Sequence, residues 1–211
     1  MHRNRNGTFT KHGSGPRWLA ACVALTAALS AACQGQESRA IGPRAKESAG
    51  IDAAASTEDG AALLAARPLM LPVEGVAPSA LVDTFNDGRP GHRHEAIDIP
   101  ARRGSRVYAV DDGKLVKLFT SVPGGLTLYQ FDPDGNLAYY YAHLDRYADG
   151  LKEGMPLRRG DLIGYVGSTG NAAAEAPHLH FAVFRLGPQR QWWKGQPINP
   201  YPALLRARPA D

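Results

Sequence analysis

The chain has 211 residues, with 24 Lys plus Arg against 20 Asp plus Glu, a formal charge of +4 and two cysteines. That length accommodates one domain with a real core plus a tail, not a string of domains. The basic excess comes entirely from Arg3, Arg5, Lys11 and Arg17 in the first 32 residues, and the remainder is balanced, so the charge gives no support to nucleic-acid binding, which needs a basic stripe on the folded domain.

In chain order, that basic segment leads into an uninterrupted run of apolar and small residues from Trp18 to Ala32. The run is shorter than the roughly 20 residues that span a bilayer as a helix, so it reads as an export signal and not as a permanent anchor. It ends in Ser30-Ala31-Ala32-Cys33, which resembles the lipobox of bacterial lipoproteins, where the cysteine thiol is acylated and becomes the new N-terminus. Ser30 stands where a bulky aliphatic residue is usual, with Leu29 one place further back. Leu19-Ala20-Ala21-Cys22 fits better by letter but has no apolar segment before it. The expectation is a signal peptide over 1–32, a lipid anchor at Cys33, and a periplasm-facing lipoprotein of the cell envelope; without acylation the product is secreted. Cys33 is then the sole remaining cysteine, which excludes an intrachain disulfide and a thiolate metal site.

Residues 33–68 are rich in Ala, Gly, Ser, Glu and Arg and poor in large apolar side chains, so they read as a flexible tether, with a short helix allowed near residues 60–66. From Leu69 the texture becomes short alternating runs separated by Gly, Pro, Asn and Asp. Strands are expected over Ser105–Val110, Gly113–Phe119, Leu126–Phe131, Leu137–Leu144, Leu162–Val166 and His178–Leu186, with Asp132–Asn136 as a turn. The fold class is mainly β: one antiparallel-sheet domain over 69–205 with few short helices, and a tail over 206–211.

All five histidines outside the leader, His92, His94, His143, His178 and His180, fall in that domain. In a strand, His178 and His180 share one face while Leu179 and Phe181 share the other. Two imidazoles plus one carboxylate suit zinc and leave a fourth position for water. His94-Glu95-Ala96-Ile97-Asp98 supplies the missing members. Its first letters resemble the helical zinc-protease motif in which Glu is the base, but that motif needs histidine at the fifth place and a helix. Here the fifth residue is Asp98, and Gly88, Pro90, Gly91 and Pro100 with β-branched Ile97 and Ile99 favour extended chain, so Glu95 is not expected to be the base.

From about Phe85 to Pro200 the chain resembles the lysostaphin-like zinc peptidases, family M23. The resemblance rests on Arg93-His94-Glu95-Ala96-Ile97-Asp98-Ile99, Tyr141-Ala142-His143-Leu144, Gly160 to Gly170 ending in Gly167-Ser168-Thr169-Gly170, and Pro177-His178-Leu179-His180-Phe181, in that order. It implies that His94, Asp98 and His180 hold one zinc ion per chain and that His143 and His178 act on water and the tetrahedral intermediate. It implies hydrolysis of peptide cross-links in bacterial peptidoglycan; the alternative is a non-catalytic module of the same family that regulates another wall hydrolase, a class that typically lacks zinc ligands. The leader points to an enzyme acting on its own wall at D-alanyl cross-links, with a glycine bridge in another cell's wall as the other candidate bond. No protein partner is named by any motif. Three positions depart from the family pattern: Ala96, where glycine is usual; Gly124-Gly125-Leu126, where a Gly-Tyr-Gly type turn is usual; and Ala182, where an acid is frequent.

Other residues have ordinary readings. His92 lies in a Gly-Pro loop, where a plain loop role is expected and contact with substrate is the alternative. Tyr139, Tyr140 and Tyr141 alternate on a strand, so core packing is expected, with one ring available to border a groove. Asp111 and Asp112 precede Gly113 at a strand junction, a turn role. Trp192 and Trp193 sit in a polar, Pro-rich segment and either find cover or stack against glycan or peptide.

Overall fold

A computed structural model describes residues 58–210; the leader, Cys33 and the tether as far as residue 57 lie outside the described residues. In chain order come helix α1 (58–65) and strand β1 (Met70–Glu74), then the short pair β2 (Gly88–Arg89) and β3 (His92–Arg93). Strands β4 (Ile97–Pro100), β5 (Arg106–Tyr108), β6 (Gly113–Ser121), β7 (Gly125–Phe131) and β8 (Leu137–Tyr147) follow. The chain closes with β9 (Pro156–Leu157), β10 (Leu162–Val166), β11 (His178–Leu186), β12 (Gly195–Ile198), helix α2 (Tyr201–Leu204) and β13 (Arg208–Ala210). Each expected strand is present, within a few residues of its expected ends. The turn before β8 is built as its letters require: Asp132 Oδ1 accepts from the N–H groups of Asn136 and Leu137 at 2.7 and 2.8 Å, and Gly135 takes a left-handed φ of 67°.

Eleven strands form one sheet in the order β13-β1-β5-β10-β8-β7-β6-β9, with β11 joined to β8, β4 and β12. All pairings in it are antiparallel except β1 with β13. One edge of β8 is divided lengthwise. Leu137–Ala142 pairs with β11, and Leu144–Tyr147 pairs with β10. The sheet therefore has two unlike faces. Leu115, Leu128, Tyr139, Tyr141, Leu179, Phe181 and Val183 are fully buried on one, where they meet Leu71, Val73, Val107 and Ile163 in the core. Tyr129, Tyr140, His178, His180 and Phe184 are only partly covered on the other.

The domain is wider than composition indicates. Residues 58–68, expected in the tether, pack on it: Leu64 is buried in the core and Arg67 Nε lies 2.6 Å from Asp111 Oδ2. Asp111 stands in the bend before β6, its Oδ1 accepting from the Asp112 N–H at 2.9 Å, and it is a buried anchor as well, accepting from the Tyr139 hydroxyl at 2.9 Å. The expected tail over 206–211 likewise contributes β13 and the buried Ala207 and Ala210. Both stretches are short of large apolar residues, so one or two side chains make the attachment.

Candidate functional site

Pairing of β11 with β4 is in register His180↔Asp98, so these side chains stand beside each other on the open face. His94 reaches the same point from the segment before β4. That segment is not helical: Glu95 is left-handed at φ 57°, its N–H bonded to Phe85 O at 2.9 Å, and its side chain is exposed and outside the groove, while Ala96 is fully buried. The turn carries His94 inward and Glu95 outward.

Three atoms converge. His94 Nε2, His180 Nδ1 and Asp98 Oδ1 are each 3.1 Å from the other two. Ligands about 2.0–2.1 Å from a tetrahedral zinc are about 3.3 Å apart, so the triangle has nearly the spacing of three corners of such a site. The donor chemistry fits as well. His94 Nδ1 lies 3.0 Å from the Thr84 carbonyl, which can only accept, so Nδ1 carries the proton and Nε2 presents a lone pair. That lone pair faces a carboxylate oxygen, two acceptors that a cation between them would satisfy. Asp98 is held from behind by Arg89, whose Nη2 donates to Oδ2 at 3.3 Å, and by Thr84, whose hydroxyl accepts from the Asp98 N–H at 3.1 Å. Burial pushes the His94 imidazole below its ordinary pKa. Burial works against the charge on Asp98, yet the hydrogen bond from His180 and the surrounding imidazoles hold its carboxyl below the usual carboxylate range.

His143 arrives on this face by an irregularity. Plain alternation after Tyr139 and Tyr141 would send it into the core. Instead the β7–β8 register shifts between Leu126↔Leu144 and Leu128↔Tyr141, and His143 adopts φ 59°. This bulge turns the side chain to the open face beside Ala142. Its Nδ1 is 2.8 Å from Thr169 O, and the ring is 4.9 Å from that of His178, whose own Nδ1 is 2.9 Å from Ala176 O. Both imidazoles therefore carry the proton at Nδ1 and leave Nε2 free as a base. His178 Nε2 is 3.7 Å from Asp98 Oδ1, outside the close triangle. Burial pushes the His143 imidazole down as well, which favours its neutral, proton-accepting form.

Two loops meet to hold His143. Gly125 (φ 63°) and Gly170 (φ 79°) lie back to back, and a Cβ on either would strike the other loop: Thr169 in one case, Gly125 N and Pro123 O in the other. Their contact seats Thr169, whose hydroxyl accepts from the Leu126 N–H and donates to Leu144 O while its carbonyl takes His143. Where the family's turn differs, Gly124 leaves room for the Tyr140 hydroxyl. The result is an open groove of about 480 Å³ walled by Arg89, His92, Tyr140 and Asn171 around the histidines. Sequence reasoning did not single out Arg89 or Asn171; His92, read as a plain loop residue, is on the rim.

A sequence profile described as "Peptidase family M23" matches residues 92–200. The glycyl-glycine endopeptidase ALE-1 of Staphylococcus capitis is 36% identical over 95 residues, 44% of this chain and 25% of its own. An L-Ala–D-Glu endopeptidase of Bacillus subtilis is 33% identical over 129 residues, 57% of this chain and 38% of its own. The chain thus spans between a quarter and two fifths of the length of these relatives. Among solved structures, a lytM structure from Ruminococcus gnavus matches at 25% identity and TM-score 0.57, covering 78% of this chain and 68% of the other. The antimicrobial peptidase lysostaphin from Staphylococcus simulans matches at 25% identity and TM-score 0.53, covering 65% and 53%.

Proposed function

The chain belongs to peptidase family M23, and from that premise we propose that it is a zinc-dependent endopeptidase that hydrolyses peptide cross-links in bacterial peptidoglycan. The observation that carries the reading is the 3.1 Å triangle of His94 Nε2, Asp98 Oδ1 and His180 Nδ1, with two further imidazoles beside it. Those three residues would hold the zinc. When bound, the metal supplies Lewis acidity that makes water a nucleophile near neutral pH and polarises a peptide carbonyl.

The remaining work belongs to His143 and His178. One accepts the water proton at Nε2 and returns it to the leaving amine nitrogen, a task suited to an imidazole whose ordinary pKa is about 6.5. The other, across the 4.9 Å ring pair, donates from Nε2 to the carbonyl oxygen as negative charge develops there, which it does as the imidazolium, protonated at Nε2 as well as at the Nδ1 bonded to its backbone carbonyl. Arg89 holds Asp98 Oδ2, which keeps Oδ1 aimed into the triangle. The names of the relatives cover glycyl-glycine and L-Ala–D-Glu bonds; what they share is a peptide bond, and that is the level at which we assign the substrate. From the leader we further propose an envelope location, with Cys33 as a lipid anchor.

The test is digestion of purified peptidoglycan by zinc-loaded protein, with products weighed by mass spectrometry. New peptide ends are expected, lost with chelator and restored by zinc. Folded, zinc-loaded protein that releases nothing, as a regulatory module would, overturns the reading; so does cleavage that survives complete metal removal.

A further inference from the structure

The ring contacts continue outward from His180. Tyr140 stands edge-on to it at 6.0 Å, Tyr129 is 4.6 Å from Tyr140, and Trp192 is 4.9 Å from Tyr129. Trp192 also touches Phe119 at 5.4 Å and Trp193 at 5.3 Å. Pairing explains the alignment: Tyr140 and Tyr129 are cross-strand partners, and Phe119 pairs with Thr127, two residues from Tyr129, so all lie on the face that bears the histidines. Cover falls off outward. Tyr129 and Tyr140 are half-buried, Phe119 is 41% exposed and Trp193 63% exposed.

Packing does not require the outer rings. An indole as open as Trp193 contributes little to the core, and large exposed aromatics grouped on the sheet face that also bears the groove mark a binding surface. Gln189, Arg190, Gln191 and Lys194 from the same β11–β12 loop set amides and cations close by in sequence. Flat apolar rings match the faces of a pyranose, which offer C–H groups while its hydroxyl or acetamido groups stay at the edge. Reach matches too. Trp192 is three ring steps from His180, no more than about four to five residues of extended peptide at about 3.4 Å each. A short peptide in the groove, still joined to its sugar, would deliver that sugar to the platform.

We propose that Phe119, Trp192 and Trp193 form a sugar-stacking platform that holds the glycan strand of peptidoglycan while the attached peptide lies in the histidine groove. The proposal rests on the peptidase reading for its substrate. Peptide-free glycan strands titrated into the purified protein should quench or shift tryptophan emission, and W193A should weaken that binding about ten-fold while W193F restores most of it. W193A should also slow cleavage of intact peptidoglycan at least five-fold more than cleavage of glycan-free cross-linked peptide, the loss being about one stacked ring. Equal glycan affinity in wild type and W193A overturns the platform. Equal slowing on both substrates overturns it by placing Trp193 on the peptide, and binding to lipid vesicles but not to glycan overturns it in favour of a bilayer surface. Glycan binding is read without cleavage, so a protein that binds strands but cuts nothing keeps the platform and loses the peptidase reading.

Discussion

His178 and His180 share a face, yet the two rings have different partners. His180 Nδ1 lies in the 3.1 Å triangle with His94 and Asp98, while His178 Nδ1 is committed to Ala176 O and its Nε2 stands 3.7 Å from Asp98. H180A should therefore lose zinc by metal analysis. H178A should keep about one zinc per chain and lose about 10²–10⁴ in turnover, the usual worth of a positioned acid-base group; metal loss from H178A instead would exchange the two roles. The shared face was legible from strand alternation, and the rejection of Glu95 from its flanking Gly, Pro and β-branched residues. Arg89 was not legible, because its contact with Asp98 depends on how the β2–β3 pair folds over the groove, which no periodicity encodes.

At the level of elements, the bulge in β8 and the glycine contact between two loops decide where His143 points. Neither has a local signature: the left-handed residue of the bulge is His143 itself, not glycine, so alternation alone would bury it. The glycines were visible as letters, but their mutual contact was not. G170A puts a Cβ against Pro123 O and Gly125 N at a φ of 79°. It should lower stability by about 1–3 kcal/mol in denaturant titration. Turnover should fall further than stability explains, with zinc content kept, since Thr169 O would no longer hold His143. An unchanged turnover would show that this loop contact does not orient His143. Runs such as Leu162–Val166 and His178–Leu186 were legible to the residue because β-branched and aromatic side chains run up to Gly, Pro or Asp at each end. α1 and β13 were not, since Ala-rich composition hides that Leu64 and Arg67 tie one to the domain and main-chain pairing ties the other.

For the whole molecule, the mainly β class could be read from the sequence, but the strand order could not. β11 lies between β4 and β8, and the triangle joins residues 82 and 86 positions apart. An unfolded chain holds no such trio at close range, because closing loops of that length has an entropic cost that only the finished sheet offsets. Binding of the proposed zinc would then be linked to folding. At a free concentration one hundred times its dissociation constant, zinc should add about 2.7 kcal/mol and raise the melting temperature by several degrees, and H180A should show no such rise. If the proposed zinc is bound, the same sheet that brings distant histidines together would make the protein's survival depend on metal supply: starved of zinc, the chain would open more often and give proteases more chances, so its abundance would follow the metal content of its surroundings.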